Sequence, residues 1–279
     1  MTRYADLHVH TFYSDSTFSP EEVMACAKDK GLDAIAICDH DSIDGIEPCQ
    51  KIGRELGIEI IAGIELTVEK TDTEAHILGY VIDWKVDWFQ NRLKELQAAR
   101  VDRIYKMVER LKGFHIQMEP NDVFELAGKG SVGRLHLAQA MLRTGRIKNL
   151  KEAFDRYIGF GKPCYVPNMY FSSKEAIDII RNVGGVPVLA HPDVMGNDAY
   201  IQEFIEYGLR GIEVYHTDHK PHVARHYEEI AKRFDLIVTG GSDCHGLGKG
   251  RVLMGGVRVP YELVEKLKNE ARKIANDHR

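Results

Sequence analysis

The chain has 279 residues, 44% of them hydrophobic, enough for one large α/β domain with an insertion. A net charge of −5 argues against a long nucleic acid gripped by a basic surface, and no apolar run approaches the ~20 residues that span a bilayer. Arg3 and Asp6 interrupt the start where a signal peptide would be apolar, and the five cysteines lack CxxC spacing and read as reduced thiols, so a cytoplasmic location is expected.

Asp6-Leu7-His8-Val9-His10-Thr11 opens the chain as a short strand. Residues two apart on a strand share a face, so His8 and His10 project together while Leu7 and Val9 face an apolar layer. Two such imidazoles suit a divalent transition metal; taken alone, they read equally well as a surface pair. Ser19-Pro20-Glu21-Glu22 predicts a helix start, with an N-cap serine, a first-turn proline and a capping-box glutamate, stopping near Gly31. Apolar runs at 34–38 and 58–64 read as buried strands leading into Asp39-His40-Asp41 and Glu65. His76 lies inside a further predicted strand, 74–80, away from any obvious strand end.

From 84 to 165 no strand is predicted. A long helix over 88–111 and shorter ones over 120–127, 134–144 and 150–157 suggest a helical insertion domain (88–165) over the mouth of a barrel formed by 1–87 and 166–279. Gly128, Gly130 and Gly133 within it read as an ordinary flexible loop. Ser172-Ser173-Lys174-Glu175 repeats the helix-start signal. Buried-strand runs return at 186–190, 211–215 and 236–239, ending in His191-Pro192-Asp193, in His216 and in Ser242-Asp243-Cys244-His245. Helices are predicted over 220–234 and 261–274. Strands alternating with helices predict a parallel sheet, and in a closed α/β barrel the C-terminal strand ends share one mouth. Six strand ends bearing metal-type side chains, from His8 to His245, are therefore expected to converge.

In combination, DLHVHT at 6–11, the DHD around His40, Glu65, His76, the AHPD at His191 and the SDCH at 242–245 resemble the polymerase and histidinol phosphatase (PHP) superfamily. The resemblance spans nearly the whole chain. It implies an α/β fold, a distorted seven-stranded (β/α)7 barrel, holding two or three divalent metal ions. It also implies a position for each ligand. His8, His10, Glu65 and Asp243 would hold a first metal; Glu65 would bridge to a second, held also by His76 and His191; Asp15, His40 and His245 would hold a third. Nitrogen and oxygen ligands without thiolate favour Mn, Zn or Fe. The stretch 131–138, Ser-Val-Gly-Arg-Leu-His-Leu-Ala, resembles the nucleotide-directed branch, which includes nucleoside 3′,5′-bisphosphate phosphatases and 5′-to-3′ exoribonucleases.

Such metals acidify water and offset charge at phosphorus, so hydrolysis of a phosphate ester is expected, with a small nucleotide or a short oligonucleotide 5′ end as substrate. The resemblance implies that Asp243 would be the catalytic carboxylate on the first metal. His216 or His219 would give the leaving alcohol its proton or hydrogen-bond the phosphate. Arg134 would bind phosphate as a bidentate fork, assisted by His136. Asp39, Asp41 and Asp193 would either orient imidazoles or cap their loops. Residues 215–222 are richer in histidine than this branch leads one to expect, while His222 and His226 belong to a solvent face and His115 and His278 carry no signal. Competing readings are a histidinol-phosphatase-like enzyme, for which the insertion carrying Arg134 would be atypical, an amidohydrolase-type C–N hydrolase, and a non-catalytic metal-binding module. No membrane partner is expected, and oligomeric state is left open.

Overall fold

The computed structural model describes residues 2–167 and 171–277. Its strands are β1 (Tyr4–Val9), β2 (Ala34–Ile37), β3 (Glu59–Glu69), β4 (Glu74–Tyr80), β5 (Val186–Leu189), β6 (Gly211–His216), β7 (Ile237–Gly241) and the two-residue β8 (Val259–Pro260). They form one sheet in the order β7-β6-β5-β4-β3-β2-β1-β8. The pairs β1/β2, β2/β3, β5/β6 and β6/β7 are parallel, whereas β4 runs antiparallel to both its neighbours. The sheet curls back on itself: Val9 bridges to Cys244 just past β7, and His10 N donates to Cys244 O at 3.1 Å. A Cβ on Gly241 would sit 2.4 Å from His8 N, so only glycine lets β7 approach β1 this closely. The result is a nearly closed barrel, as expected, with β8 added at its edge.

The pairing of β3 with β4 departs from the sequence reading. Glu65 was expected to end a strand; instead β3 continues to Glu69 because Thr67, Val68 and Glu69 pair with His76, Ala75 and Glu74. The reversal of β4 also explains His76. On an antiparallel strand the N-terminal end lies at the mouth where the parallel strands finish, so His76 reaches it without being at a C-terminal end.

Apolar packing follows the strand alternation. Inside the ring, Leu7, Ala36, Leu78, Tyr80 and Val188 pack together, closed by Leu267 and Ile274 of the helix Glu262–Asp277, and Tyr80 OH donates across the ring to Leu7 O at 2.8 Å. Outside, Ile35, Ile37, Ile64 and Ile77 pack against α1 (Pro20–Asp29), α2 (Ile46–Leu56) and the later helix Ser173–Asn182. Both predicted capping boxes form, Ser19 with Glu22 and Ser172 with Glu175. Leu7 and Val9 are both fully buried, but in different clusters.

Between β4 and β5 the described chain is helical: α3 (Asp87–Lys112), α4 (Pro120–Ala127), α5 (Arg134–Arg143), α6 (Leu150–Ala153) and a π-helical turn (Phe154–Ile158). These pack on an apolar cluster of their own, including Met107, Leu111, Val123, Leu137 and Met141. Among the described residues no helix is long and apolar enough to cross a membrane.

Candidate metal centre

Glu65 is the hub of the barrel mouth. Its Oε2 lies 3.2 Å from His8 Nε2, 3.3 Å from His10 Nε2 and 3.3 Å from His40 Nδ1. Its Oε1 lies 2.7 Å from His76 Nδ1 and 3.1 Å from His191 Nε2. One buried carboxylate thus meets five imidazoles, delivered by β1, the loop after β2, β4 and the loop after β5. Asp243 Oδ1 adds contacts of 3.1 Å to His10 Nε2 and 3.6 Å to His8 Nε2. Asp15 Oδ1 lies 3.1 Å from His245 Nε2, and Asp15 Oδ2 lies 3.8 Å from His40 Nε2. All nine residues expected to ligate metal are therefore gathered at one mouth. Two of them, His191 (φ 23°) and Asp243 (φ 52°), adopt the left-handed conformation that side chains disfavour, a strain typical of functional sites.

The donor set fits divalent cations. His10 Nε2, His40 Nδ1 and Asp15 Oδ1 are fully buried, yet none has a hydrogen-bond partner despite the short approaches above. Their lone pairs aim at shared space rather than at one another. Three overlapping groups have ligand atoms mutually within 4.8 Å: His10, Asp15, His40 and His245; His8, His10 and Asp243; His40, Glu65 and His76. None includes a thiol.

Electrostatics point the same way. Burial opposes the charge on Glu65, but His40, His76 and His8 outweigh it and hold its carboxyl well below the usual range. Asp243 is likewise held down, against burial, by Lys249, His245 and His8. His10 resists burial because Asp243 and Glu65 face it, and its pKa rises to about 9; His76, beside Glu65 and Glu74, also rises to about 9. Protons held this way are those that a bound cation displaces.

Three supporting carboxylates escaped the sequence reading. Glu213, in the middle of β6, places Oε1 3.0 Å from His8 Nδ1 and accepts the His191 N–H on Oε2 at 2.9 Å. A lone acid in an otherwise apolar strand was a legible signal for it. Asp6 accepts the Ser242 N–H at 2.8 Å, anchoring the loop that carries Asp243. Glu74 lies 3.4 Å from His76 Nε2 and pairs with Arg134. Of the two roles open to Asp39, Asp41 and Asp193, orienting an imidazole or capping a loop, the first finds no contact to a histidine among the described residues. Asp39 instead binds Thr11 N, Thr11 Oγ1 and Ser14 Oγ, the loop-capping alternative, and Asp41 pairs with Arg100 at 2.5 Å. Asp193 is exposed.

The cluster floors a cavity of about 530 Å³, whose walls include Arg134, Phe154, Phe160, His216 and Lys249. His216 Nδ1 accepts the Asp218 N–H at 3.2 Å, which leaves the proton of a neutral ring on Nε2, 3.4 Å from Asp243 Oδ2. His219 does not line this cavity. Its Nδ1–H donates to Val214 O at 2.8 Å, and it borders a separate groove with Lys30 and Arg258. His136 is buried and accepts the Gly133 N–H at 3.2 Å, capping α5 rather than facing the cavity. His222 and His226 are exposed as expected, His115 is exposed as well, and His278 lies outside the described residues.

Residues 6–163 match the PHP domain model. A 5′-3′ exoribonuclease of Haemophilus influenzae is 31% identical over 275 residues, covering 94% of this chain and 99% of that protein. A phosphoribosyl 1,2-cyclic phosphate 1,2-diphosphodiesterase of Eggerthella lenta is 29% identical (91% and 98% covered). A 3′,5′-nucleoside bisphosphate phosphatase of Chromobacterium violaceum is also 29% identical (88% of each). A solved structure from Bifidobacterium adolescentis, named as a candidate metal-dependent phosphoesterase, superposes with a TM-score of 0.86 at 30% identity, covering 95% and 96% of the two chains. With nine metal-type side chains converging on one mouth and more than half its length matched by the family model, the chain belongs to the PHP domain family and is a metal-dependent phosphoesterase.

Proposed function

We propose that this phosphoesterase hydrolyses a phosphate ester of a small nucleotide, such as a nucleoside 3′,5′-bisphosphate, or the 5′ end of a short oligonucleotide. The observation that carries this reading is the cavity itself. It joins the Glu65-centred donor cluster to a wall bearing Arg134, Lys249 and the rings of Phe154 and Phe160. Anion-binding cations beside aromatic faces suit a phosphorylated nucleoside.

In this reading His8, His10, Glu65 and Asp243 hold one cation, Glu65 with His76 and His191 a second, and Asp15, His40 and His245 a third. Cations bound there acidify water and offset charge at phosphorus. Glu213 and Glu74 keep the His8 and His76 rings oriented. Arg134, paired with Glu74, turns its guanidinium to a substrate phosphate. His216 offers its Nε2–H to the leaving oxygen. The helical segment 88–165 acts as an insertion domain that walls the mouth and supplies Arg134, Phe154 and Phe160. His219 and His136 have no role in substrate contact.

The test is product release by Mn²⁺-loaded protein from adenosine 3′,5′-bisphosphate. 5′-AMP, histidinol phosphate, a five-membered cyclic phosphodiester and a short 5′-phosphorylated oligoribonucleotide are run beside it. Preference for the bisphosphate or the oligonucleotide supports the reading. Turnover confined to histidinol phosphate or the cyclic diester, or none at all with metal bound, rejects it.

A further inference from the structure

Lys249 has no counterpart in the metal-ligand set, yet its ammonium lies 2.5 Å from Asp243 Oδ2. The two oxygens of Asp243 divide the space between them. Oδ1 faces the imidazoles of His8 and His10, while Oδ2 faces Lys249 and the Nε2 of His216. Lys249 is thus on the substrate side of the carboxylate and lines the same cavity as Arg134.

The loop that presents it is built for this placement. His245 O accepts the Gly248 N–H at 2.8 Å, Leu247 O accepts the Gly250 N–H at 2.8 Å, and Thr17 Oγ1 accepts the Leu247 N–H at 2.8 Å. Gly248 O accepts Gln139 Nε2–H at 3.2 Å, tying the loop to α5, the helix that begins with Arg134. A Cβ on Gly248 would lie 2.9 Å from His245 O and 3.1 Å from Gln139 Nε2, so a side chain there would part the loop from the helix. The loop therefore carries one cation to the cavity wall beside Asp243 while its fastening helix carries another, Arg134.

We infer that Lys249 is a phosphate-anchoring residue: its ammonium contacts a non-bridging oxygen of the scissile phosphoryl group while Asp243 Oδ2 holds it in place. An ammonium has three N–H donors, and the carboxylate engages one, leaving two for an anion. The contact is a compact point charge beside phosphorus, complementary to the planar fork of Arg134. This inference rests on the phosphoesterase reading of the site. The alternative is that Lys249 merely neutralises Asp243.

Calorimetric binding of inorganic phosphate to the Mn²⁺-loaded full chain separates the two, with metal content measured in parallel. Lys249→Met should weaken phosphate binding about tenfold or more at unchanged metal content, and Lys249→Arg should recover most of it. Phosphate affinity equal to that of the unmodified chain, or a loss explained by lost metal, overturns the inference. If Lys249→Met does not fold, Gln139→Ala probes the same loop. It should weaken phosphate roughly threefold through looser placement of the ammonium, and an unaltered affinity there overturns the inference equally. Ester turnover is read separately: phosphate binding that depends on Lys249 without turnover of any nucleotide ester counts against the proposed substrate and not against Lys249.

Discussion

Glu213 Oε1 sits 3.0 Å from His8 Nδ1, both side chains fully buried, across 205 positions of sequence. The carboxylate holds the ring proton on Nδ1 and so leaves Nε2 free toward Glu65 and Asp243. Its other oxygen accepts the backbone N–H of His191, so one acid positions two candidate ligands.

Replacing it by Glu213→Gln removes one acceptor and places an amide N–H against a group that is itself a donor. Metal affinity should fall roughly 10–100-fold, as for other orienting partners of metal-bound histidines. Competition with a chromogenic chelator measures this, and an affinity matching the unmodified chain refutes the role given to Glu213.

Arg100 of α3 reaches into the barrel mouth, where Nε meets Asp41 at 2.5 Å and Nη2 meets Thr67 Oγ1 at 3.3 Å, while Nη1 donates to Val132 O at 3.4 Å. Both partners of the ion pair are almost fully buried. Arg100→Met strands the aspartate and should cost about 3–5 kcal/mol; adding Asp41→Asn should return much of that loss. Urea denaturation of the two single variants and the double variant reads the coupling. Simple additivity would mean that the pair does not fasten the helical segment to the barrel.

Metal removal should destabilise the fold, because cations bind the native cluster and not the dispersed residues. At a free-metal concentration near 100 times the dissociation constant the stabilisation is about 2.7 kcal/mol, or roughly 5–10 °C in melting temperature for a chain this size. Chelator should lower the melting temperature by that order and Mn²⁺ restore it, with the response blunted in Glu65→Gln. A melting curve indifferent to chelator after verified metal loss would contradict the metal's stabilising role.

At the far end of the barrel, Glu59 opens β3 and is held by Lys268 and Tyr261. Burial raises its pKa, but the hydrogen bonds from Lys268 and Tyr261 more than offset that and leave it below its ordinary 4.5. A depressed acid contributes stability above its unfolded pKa, and that contribution is lost as pH falls through the folded value. Lys268→Met should therefore flatten the decline in stability below about pH 4.5. Thermal melts from pH 3 to 6 test this, and parallel curves for the two proteins would show that Lys268 does not govern the acid limb.

Much of the site was legible because its chemistry is local in the chain. The spacing of His8 and His10, and metal-type residues placed after apolar runs at His40, His191 and Asp243, follow from strand periodicity and burial, which any short window of sequence records. The resemblance carried by those motifs supplied His76, whose position in the middle of a predicted strand argued against it. Only the tertiary structure gave the reason for His76, since strand direction depends on which strands pair. It alone also separated His216, which faces the cavity, from His219, three residues further along the chain, which turns its Nδ1–H back to Val214 O. The same holds for Glu213 against His8, Glu74 between His76 and Arg134, and Lys249 against Asp243. Residue type and periodicity are properties of the chain, whereas a contact between side chains depends on register, loop path and barrel closure, which are settled only when the whole sheet packs.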